Sequence, residues 1–474
     1  MNPERLNRSL SLVSLFTLAF GTMIGVGWIT VLGAWLTDAG SLGAMLAFIV
    51  GGFMMLPVAL CYAEIAGMYP VSGGEVAYVY KVYGERAAFY AGWLLAYSYT
   101  ATVSFEVVSV GWVLSSLFPG LEGPVLYTFL GSDVRLWSLV AGLALCACVT
   151  AINYRGARST SSFQTAFVLI LVITTLMFIL AGLSRGEPAN FEPIFVGDSS
   201  MAMFVGVLVV FASTPFWYGG FDTIPQAMGE VSENVDLKRI ARVMIAALVI
   251  AMLFYAGIIL TASLATPRQA LLGFDLPVAT AAGALMGGTM RQVVLLAGLC
   301  GLLTTWNAMF YASTRVVFAL ARARMIPEVF ARVHPRFGSP YYAVVFVGVA
   351  SALGAFMGRQ AIGLIVNSSA VVFSFLFALI VFGVIRLRRR LPHHPRPYRV
   401  PGGSIGLWAA MGLALCVLLI AVLSPLLSAQ GEVPTEWILM GGWLLVGVFF
   451  YFSARKLRDA VSPEERRSLM LNET

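Results

Sequence analysis

The chain has 474 residues, of which 59% are hydrophobic and only 11% are charged, and its net charge is +7 at pH 7. A soluble domain is about one quarter charged, so this composition excludes an ordinary soluble protein and indicates an integral membrane protein. A surface for nucleic acid is not expected, because membrane topology accounts for the positive residues.

Apolar segments long enough to cross a bilayer recur along the whole chain. A spanning helix needs ~20 apolar residues. We therefore predict an all-α integral membrane protein with about twelve transmembrane segments, at residues 12–36, 41–66, 88–117, 136–153, 160–183, 201–228, 240–265, 289–321, 341–357, 361–387, 405–428 and 435–454.

The basic residues lie mainly on one side of these segments. They crowd the loops that share a side with both chain ends, including the run 386–390 and the tail 455–467. The other loops hold only Arg135, Arg185, Arg268, Arg291 and Arg359. The positive-inside rule therefore predicts a multi-pass protein of the cell membrane with both termini in the cytoplasm.

Two of the segments contain residues that interrupt a helix. The first carries GTMIGVG at 21–27, and the sixth carries FWYGGFD at 216–222 directly after Pro215. Glycine and proline weaken a continuous helix, and unwound backbone within a bilayer must be buried in protein or line a cavity. Interruptions at corresponding places of two halves are typical of the substrate site of a secondary transporter.

The two interruptions have the chemistry of a receptor for a zwitterion. The amides of residues 25–27 would form the free N-terminus of a half-helix, which attracts a carboxylate. The carbonyls of Gly21 and Thr22, and those of 216–219, would suit an ammonium. The alternative is that the glycines only permit close helix packing. The candidate substrate-binding residues of the first interruption are Gly21, Thr22, Met23, Ile24, Gly25, Val26 and Gly27.

Cysteine, histidine and phosphate-loop patterns argue against an enzyme. The five cysteines lie within apolar segments and the loop 116–135 has none, so we expect no disulfide-linked heavy chain. The three histidines fall in loops, which leaves no intramembrane cluster for a metal. A GxxxxGK[ST] nucleotide loop is also missing. We predict no metal, no cofactor and no catalytic residues.

The chain is predicted to form a single transmembrane domain over residues 1–474. Because each half would contain five crossings, the second half enters the membrane from the opposite side, as in an inverted repeat. The predicted parts are a first repeat at 12–183, a second at 201–387, a basic, proline-rich linker at 388–404, and two extra helices at 405–454.

Several separated motifs resemble those of the amino acid–polyamine–organocation superfamily. GTMIGVG is similar to its first-helix glycine signature, and YAEIAGMYPVSGGEVAYVYKVYG at 62–84 is similar to its next signature. FWYGGFDTIPQAMGE at 216–230 is similar to its sixth-helix pattern, and 312–340 and 396–403 are similar to later ones. The resemblance implies a bacterial or archaeal type of amino acid permease with the LeuT-like five-plus-five inverted repeat.

The resemblance also implies roles for aromatic residues. Phe216 stands where relatives carry the aromatic side chain that closes over the substrate. A lone aromatic in a membrane helix is usually a core residue, so only its position singles it out. The further candidates for substrate contact are Trp217, Tyr218, Gly219, Gly220 and Trp306.

A coupling site is implied by the same resemblance. Arg158 stands where many relatives carry a fifth-helix lysine in place of sodium, near a polar pair that here would be Ser313 and Thr314. Arginine effectively cannot lose its proton, so Arg158 would hold helices together without shuttling protons. The alternative is an interfacial arginine that follows the positive-inside rule.

Two acidic residues within the predicted segments are candidates for a proton or substrate role, because a buried charge there is costly. The resemblance places Asp222 where some relatives carry a proton-responsive acid. Glu106 shares one helical face with Ser98, Thr102 and Ser109. If Glu106 reaches the site, it favours an amine; otherwise it is a protonated carboxyl hydrogen-bonded inside the bundle.

These patterns predict a secondary active transporter of amino acids that works by alternating access, either proton-coupled or exchanging, and independent of sodium. The alternative is a permease for organocations such as polyamines or ethanolamine-like amines. A transporter-like sensor or a channel is a third class. The expected partners are the small-molecule substrate, protons and the lipid bilayer.

Overall fold

The computed structural model describes residues 10–71, 73–118, 120–121, 123–156, 160–273, 275–428 and 432–471. The first half of this chain forms the helices α1 (Leu12–Met23), α2 (Gly27–Thr30), α3 (Leu32–Met68), α4 (Gly74–Tyr83), α5 (Glu85–Leu117), α6 (Leu136–Tyr154), α7 (Thr160–Arg185), α8 (Ser200–Tyr218) and α9 (Thr223–Ala227).

The second half continues with α10 (Ile240–Ala265), α11 (Arg268–Leu272), α12 (Pro277–Met286), α13 (Gly288–Arg322), α14 (Tyr341–Gly354), α15 (Ala361–Arg390), α16 (Gly403–Ser428), α17 (Thr435–Ser453), α18 (Arg455–Asp459) and α19 (Pro463–Leu471). Short 3-10 helices occur at Pro188–Phe191, Met228–Glu230, Leu237–Arg239, Glu328–Ala331 and Ala355–Met357.

Eleven helical stretches of the described chain are long and apolar enough to cross a membrane. The ninth predicted segment forms a shorter apolar helix, Tyr341–Met357. The prediction of an all-α, multi-pass membrane protein is therefore confirmed, and the predicted segments correspond to observed helices within a few residues.

The boundary predicted between the first two segments is a sharp bend inside α3 rather than a loop. Gly40 has φ 76° there, in the left-handed region that favours glycine. A Cβ on Gly40 would lie 2.8 Å from the Ile194 carbonyl oxygen, so a larger residue would also clash with the chain that packs against the bend.

The helix ends define two faces of the bundle. We call the face with the start of α1 the terminal face; there Arg388 at the end of α15 pairs with Glu64 near the end of α3. The opposite face carries an antiparallel hairpin of β1 (Val125–Phe129) and β2 (Ser132–Arg135).

Helices α5 and α13 lie at the centre of the bundle, where they pack against each other and against α4, α6, α7, α14 and α15. Much of α17 faces outward, and its interior contacts are mainly with α15 and α5. The two interrupted helices, α1–α2 and α8–α9, lie beside this centre, with α1 packed against α13 and α7.

Candidate functional site at two interrupted helices

The first interruption leaves backbone carbonyls that neighbouring helices satisfy. Helix α1 ends at Met23 and α2 begins at Gly27. On α13, the hydroxyl of Thr305 donates to the carbonyls of Gly21, at 2.7 Å, and Thr22, at 3.1 Å. The hydroxyl of Thr304 donates to Gly21 at 3.2 Å. The negative end of the short helix is thus held by neutral donors.

A glutamine from α7 completes this junction. The side-chain nitrogen of Gln164 lies 3.4 Å from the Thr17 carbonyl and 3.3 Å from the Thr304 carbonyl, so it bridges α1 and α13. Its side-chain oxygen is buried and has no hydrogen-bond partner among the described residues. Gln164 therefore joins three helices at the interruption with an amide that does not titrate.

A carboxyl group faces the amide side of the same interruption. The Val26 backbone N–H donates to the side chain of Glu106, which is fully buried on α5. A Cβ on Gly25 would collide with one Glu106 oxygen, and the other oxygen has no partner among the described residues. The amide end, which suits a carboxylate, thus already contacts an acidic side chain of the protein.

Aromatic rings cover the interruption. The Trp217 ring lies directly against Gly27, where it would collide with any Cβ. Its indole N–H donates to the Ser213 hydroxyl at 3.0 Å, and its ring centroid is 5.1 Å from that of Trp35. Phe216 lies one residue away and packs against Phe105 at 6.0 Å. The atoms nearest to a Cβ on Gly27 all belong to Trp217.

The second interruption, between Tyr218 and Thr223, is closed by its own residues. The Asp222 carboxylate accepts the Gly220 N–H at 2.7 Å, and the Thr223 hydroxyl donates to the Gly220 carbonyl at 2.6 Å. From α5, the Tyr99 hydroxyl donates to Asp222 at 2.6 Å. Asp222 therefore caps the turn that contains it.

Beneath the second interruption, α4 seals the terminal face. The Glu75 carboxylate accepts hydrogen bonds from Tyr62 on α3 and, at 3.3 Å, from the Gln226 amide on α9. A Cβ on Gly74 would lie 2.8 Å from the Pro225 backbone, so α4 and α9 are in direct contact. Burial raises the pKa of Glu75 well above its usual range.

Open space lies next to the first interruption on the opposite face of the bundle. A cavity of about 740 Å³ lies between the hairpin and the helices around the first interruption. Its lining includes Thr30, Trp35, Val107, Ser213, Arg359 and Asn367. The cavity therefore reaches the residues around Trp217 from the opposite face, while α4 blocks the terminal face.

The remaining candidate residues lie at different distances from the interruptions. Trp306 is fully buried next to Thr305, and its indole N–H has no partner within the described chain. Ser313 instead bonds to Thr100 on α5 at 2.9 Å, and Thr314 bonds to the Tyr311 carbonyl. Arg158 lies outside the described residues.

Three residues at the first interruption were not among the predicted site residues: Gln164, Thr304 and Thr305. All are polar residues in apolar segments, which is a recognisable signal. Their common contact with α1 depends on helix rotation, which a single sequence does not provide.

Comparison with known proteins assigns the chain to a family. The family model described as amino acid permease matches residues 10–450. The branched-chain amino acid permease BcaP of Bacillus subtilis (strain 168) is 30% identical over 461 residues, which is 95% of this chain and 93% of that protein. The methylthioribose transporter of the same organism is 27% identical, over 95% and 94% of the two chains.

A third relative is the amino-acid permease RocE of Bacillus subtilis (strain 168), which is 29% identical over 73% of this chain and 72% of its own length. The family match spans both interruptions and nearly all the membrane helices. The chain therefore belongs to the amino acid permease family, within the amino acid–polyamine–organocation superfamily.

Proposed function

We propose that the protein is a proton-coupled, sodium-independent permease for amino acids with apolar side chains, and that it works by alternating access. The relative from Bacillus subtilis that is named as a branched-chain amino acid permease supports the substrate class. Aromatic rings beside the first interruption, including Phe105, Phe216 and Trp217, support an apolar side chain. The open cavity on one face and the sealed opposite end support alternating access.

In this proposal the substrate binds between the two interruptions. Its carboxylate takes the amides of residues 25–27, which carry the partial positive charge of a helix N-terminus. Its ammonium takes the Thr22 carbonyl, which accepts a single side-chain hydrogen bond, together with the carbonyls of 216–219. The Trp217 ring has to move away from Gly27 before a carboxylate can reach these amides, because the ring occupies that space.

The proposal of proton coupling rests on the hydrogen bond from the Val26 amide to Glu106. An ionised Glu106 would repel a substrate carboxylate that approaches the same amides. Substrate entry is therefore easiest when Glu106 holds a proton, so each bound amino acid brings one proton with it. When both leave on the other side, Glu106 returns to the amides.

Two donors at Gly21 support sodium independence. Its carbonyl oxygen accepts hydrogen bonds from both Thr304 and Thr305, so both of its lone pairs are already used and it is a poor ligand for sodium. Gln164 extends this neutral junction to α7. We assign proton coupling to Glu106 and a capping role to Asp222.

The experiment uses purified protein in proteoliposomes, with wild type and Glu106→Gln compared in two assays. Wild type should accumulate branched-chain amino acids when the outside is acidic and sodium is absent. Glu106→Gln should still exchange labelled for unlabelled amino acid, because glutamine resembles the protonated acid, but should lose accumulation driven by the pH gradient. Accumulation by the variant, or a need for sodium in wild type, would contradict the proposal.

The same contact favours one alternative, an organocation permease, because Glu106 could pair with a substrate ammonium. Counterflow with amino acids and their decarboxylated amines separates the two. If only amino acids are transported, the site requires a carboxylate, as binding to the amides of residues 25–27 predicts. If the amines move equally well and Glu106→Gln abolishes their movement, Glu106 is the anchor for an amine and the amino acid proposal fails.

The proposed setting is the cell membrane, with the terminal face toward the cytoplasm, because basic residues crowd that face. We also propose the inverted repeat of 12–183 and 201–387, with 405–454 as an addition. The first interruption begins a run of five helices long enough to cross the membrane, and the second begins a run of four such helices plus the shorter Tyr341–Met357, which supports this division. Cysteine labelling from each side of right-side-out vesicles tests the orientation.

A further inference from the structure

The C-terminal helix α19 is anchored to the bundle by a buried arginine. The guanidinium of Arg466 donates to the Glu85 carboxylate, to the Arg458 carbonyl and, at 3.2 Å, to the Ala323 carbonyl at the end of α13. Only 6% of this residue is exposed, although it lies on a short polar helix after the last membrane span. Each of the three guanidinium nitrogens of this buried arginine donates a hydrogen bond, so the attachment is specific.

Apolar residues complete the attachment. Met470 and Leu471, one turn beyond Arg466, are 2% and 4% exposed. At the other end of the helix, the Pro463 carbonyl accepts from the Tyr80 hydroxyl of α4 at 3.5 Å. Helix α19 thus packs against α4 and the end of α13, and Ser468 on the same helix is exposed.

Helix α4 is the element that seals the terminal face. On one side Glu75 and Gly74 contact α9, directly below the second interruption. On the other side it carries Tyr80, which contacts α19. A substrate that leaves through the terminal face requires α4 and α9 to separate, and α19 holds α4 from outside while this happens.

We propose that α19 is an autoinhibitory latch: Arg466 fixes it to Glu85 and to the Ala323 carbonyl, and in this position α19 braces α4, holds the terminal face closed and slows the transport cycle. This inference rests on the alternating access proposed above, but not on proton coupling or on the identity of the substrate. Docking of α19 stabilises the form that is open on the opposite face, so release of α19 speeds opening of the terminal face.

The test compares Arg466→Gln in the full-length protein with the control Ser468→Ala, which changes an exposed side chain on the same helix. Hydrogen–deuterium exchange is followed in peptides covering α19, α4 and α13. Arg466→Gln should raise exchange about fivefold in α19 and by a similar factor in α4, while α13 stays protected. Ser468→Ala should leave all three unchanged.

Exchange of labelled amino acid in proteoliposomes supplies the second readout. Arg466→Gln should raise kcat about fivefold with KM unchanged, and Arg466→Lys should restore part of the wild-type rate. The latch is refuted if α19 is released while α4 stays protected, if α19 remains protected in Arg466→Gln, or if exposure of α4 slows transport. Hydrogen exchange reports directly on the attachment of α19 to α4, so it tests the latch even if the protein does not work by alternating access. The two proposals can therefore be refuted separately.

Discussion

The two interrupted helices are closed in different ways. At the first, the carbonyls of Gly21, Thr22 and Met23 and the amide of Val26 are satisfied by side chains from α13, α10 and α5. At the second, most of the bonds come from within the turn, between Gly220, Asp222 and Thr223, with one from Tyr99.

The first interruption is therefore a junction between helices, whereas the second is a turn closed mainly by its own residues. A shift of α5, α10 or α13 changes the bonds at the first interruption, so its closure is linked to the arrangement of the bundle. The second interruption keeps its bonds when it moves as a unit. We therefore expect changes at the first to affect transport and changes at the second to affect mainly stability.

Gly25→Ala should have the largest effect. The added methyl group would collide with Glu106 and would lie 3.1 Å from the Thr305 hydroxyl. Because both groups belong to the proposed site, uptake in proteoliposomes should fall by about 100-fold. The control is Gly441→Ala on α17, where an added Cβ has no neighbour within 4 Å. Equal activity of the two variants would remove the first interruption from the mechanism.

The interruptions themselves could be predicted, because clustered glycines and a proline weaken a helix that the bilayer otherwise strongly favours. The helices could also be predicted, since hydropathy over ~20 residues reports burial in lipid. The partners of the first interruption could not. The predicted polar pair, Ser313 and Thr314, begins nine residues after Thr304, which corresponds to about 13 Å along a helix.

The surroundings of Glu106 could also be predicted only in part from the sequence. Its polar stripe correctly indicated a face of α5 that is buried within the bundle. Its contact with Val26, however, depends on the packing of α5 against the first interruption, which is a tertiary feature. The roles of these residues stay predictions until they are measured.

Gln164→Leu should have an intermediate effect. Leucine keeps the volume but leaves the carbonyls of Thr17 and Thr304 without the bridging amide. The junction of three helices loosens, and uptake should fall by about tenfold, mostly through kcat. Gln164→Glu, which has the same shape, should retain activity only at acidic pH, where the side chain can still donate. A pH-independent Gln164→Glu variant would show that the bridge is dispensable.

Asp222→Ala should have the smallest effect on transport. It leaves the Gly220 amide and the Tyr99 hydroxyl without an acceptor, which costs about 1–3 kcal/mol of stability for each buried group. The melting temperature in detergent should fall, while KM changes by less than about threefold. Asp222→Asn keeps an acceptor and should recover most of the stability. A large rise in KM in Asp222→Asn would place its charge in the substrate site.

The position of Trp217 also has an optical consequence. Its indole lies against Gly27, bonds to Ser213 and meets Trp35 edge-on, so three aspects of its surroundings change if the ring swings aside for a ligand. The protein therefore carries a built-in fluorophore at the mouth of the first interruption. The protein has ten tryptophans, and we expect the fluorescence change on ligand binding to disappear in Trp217→Phe. Ligand binding can then be titrated by intrinsic fluorescence, without any label.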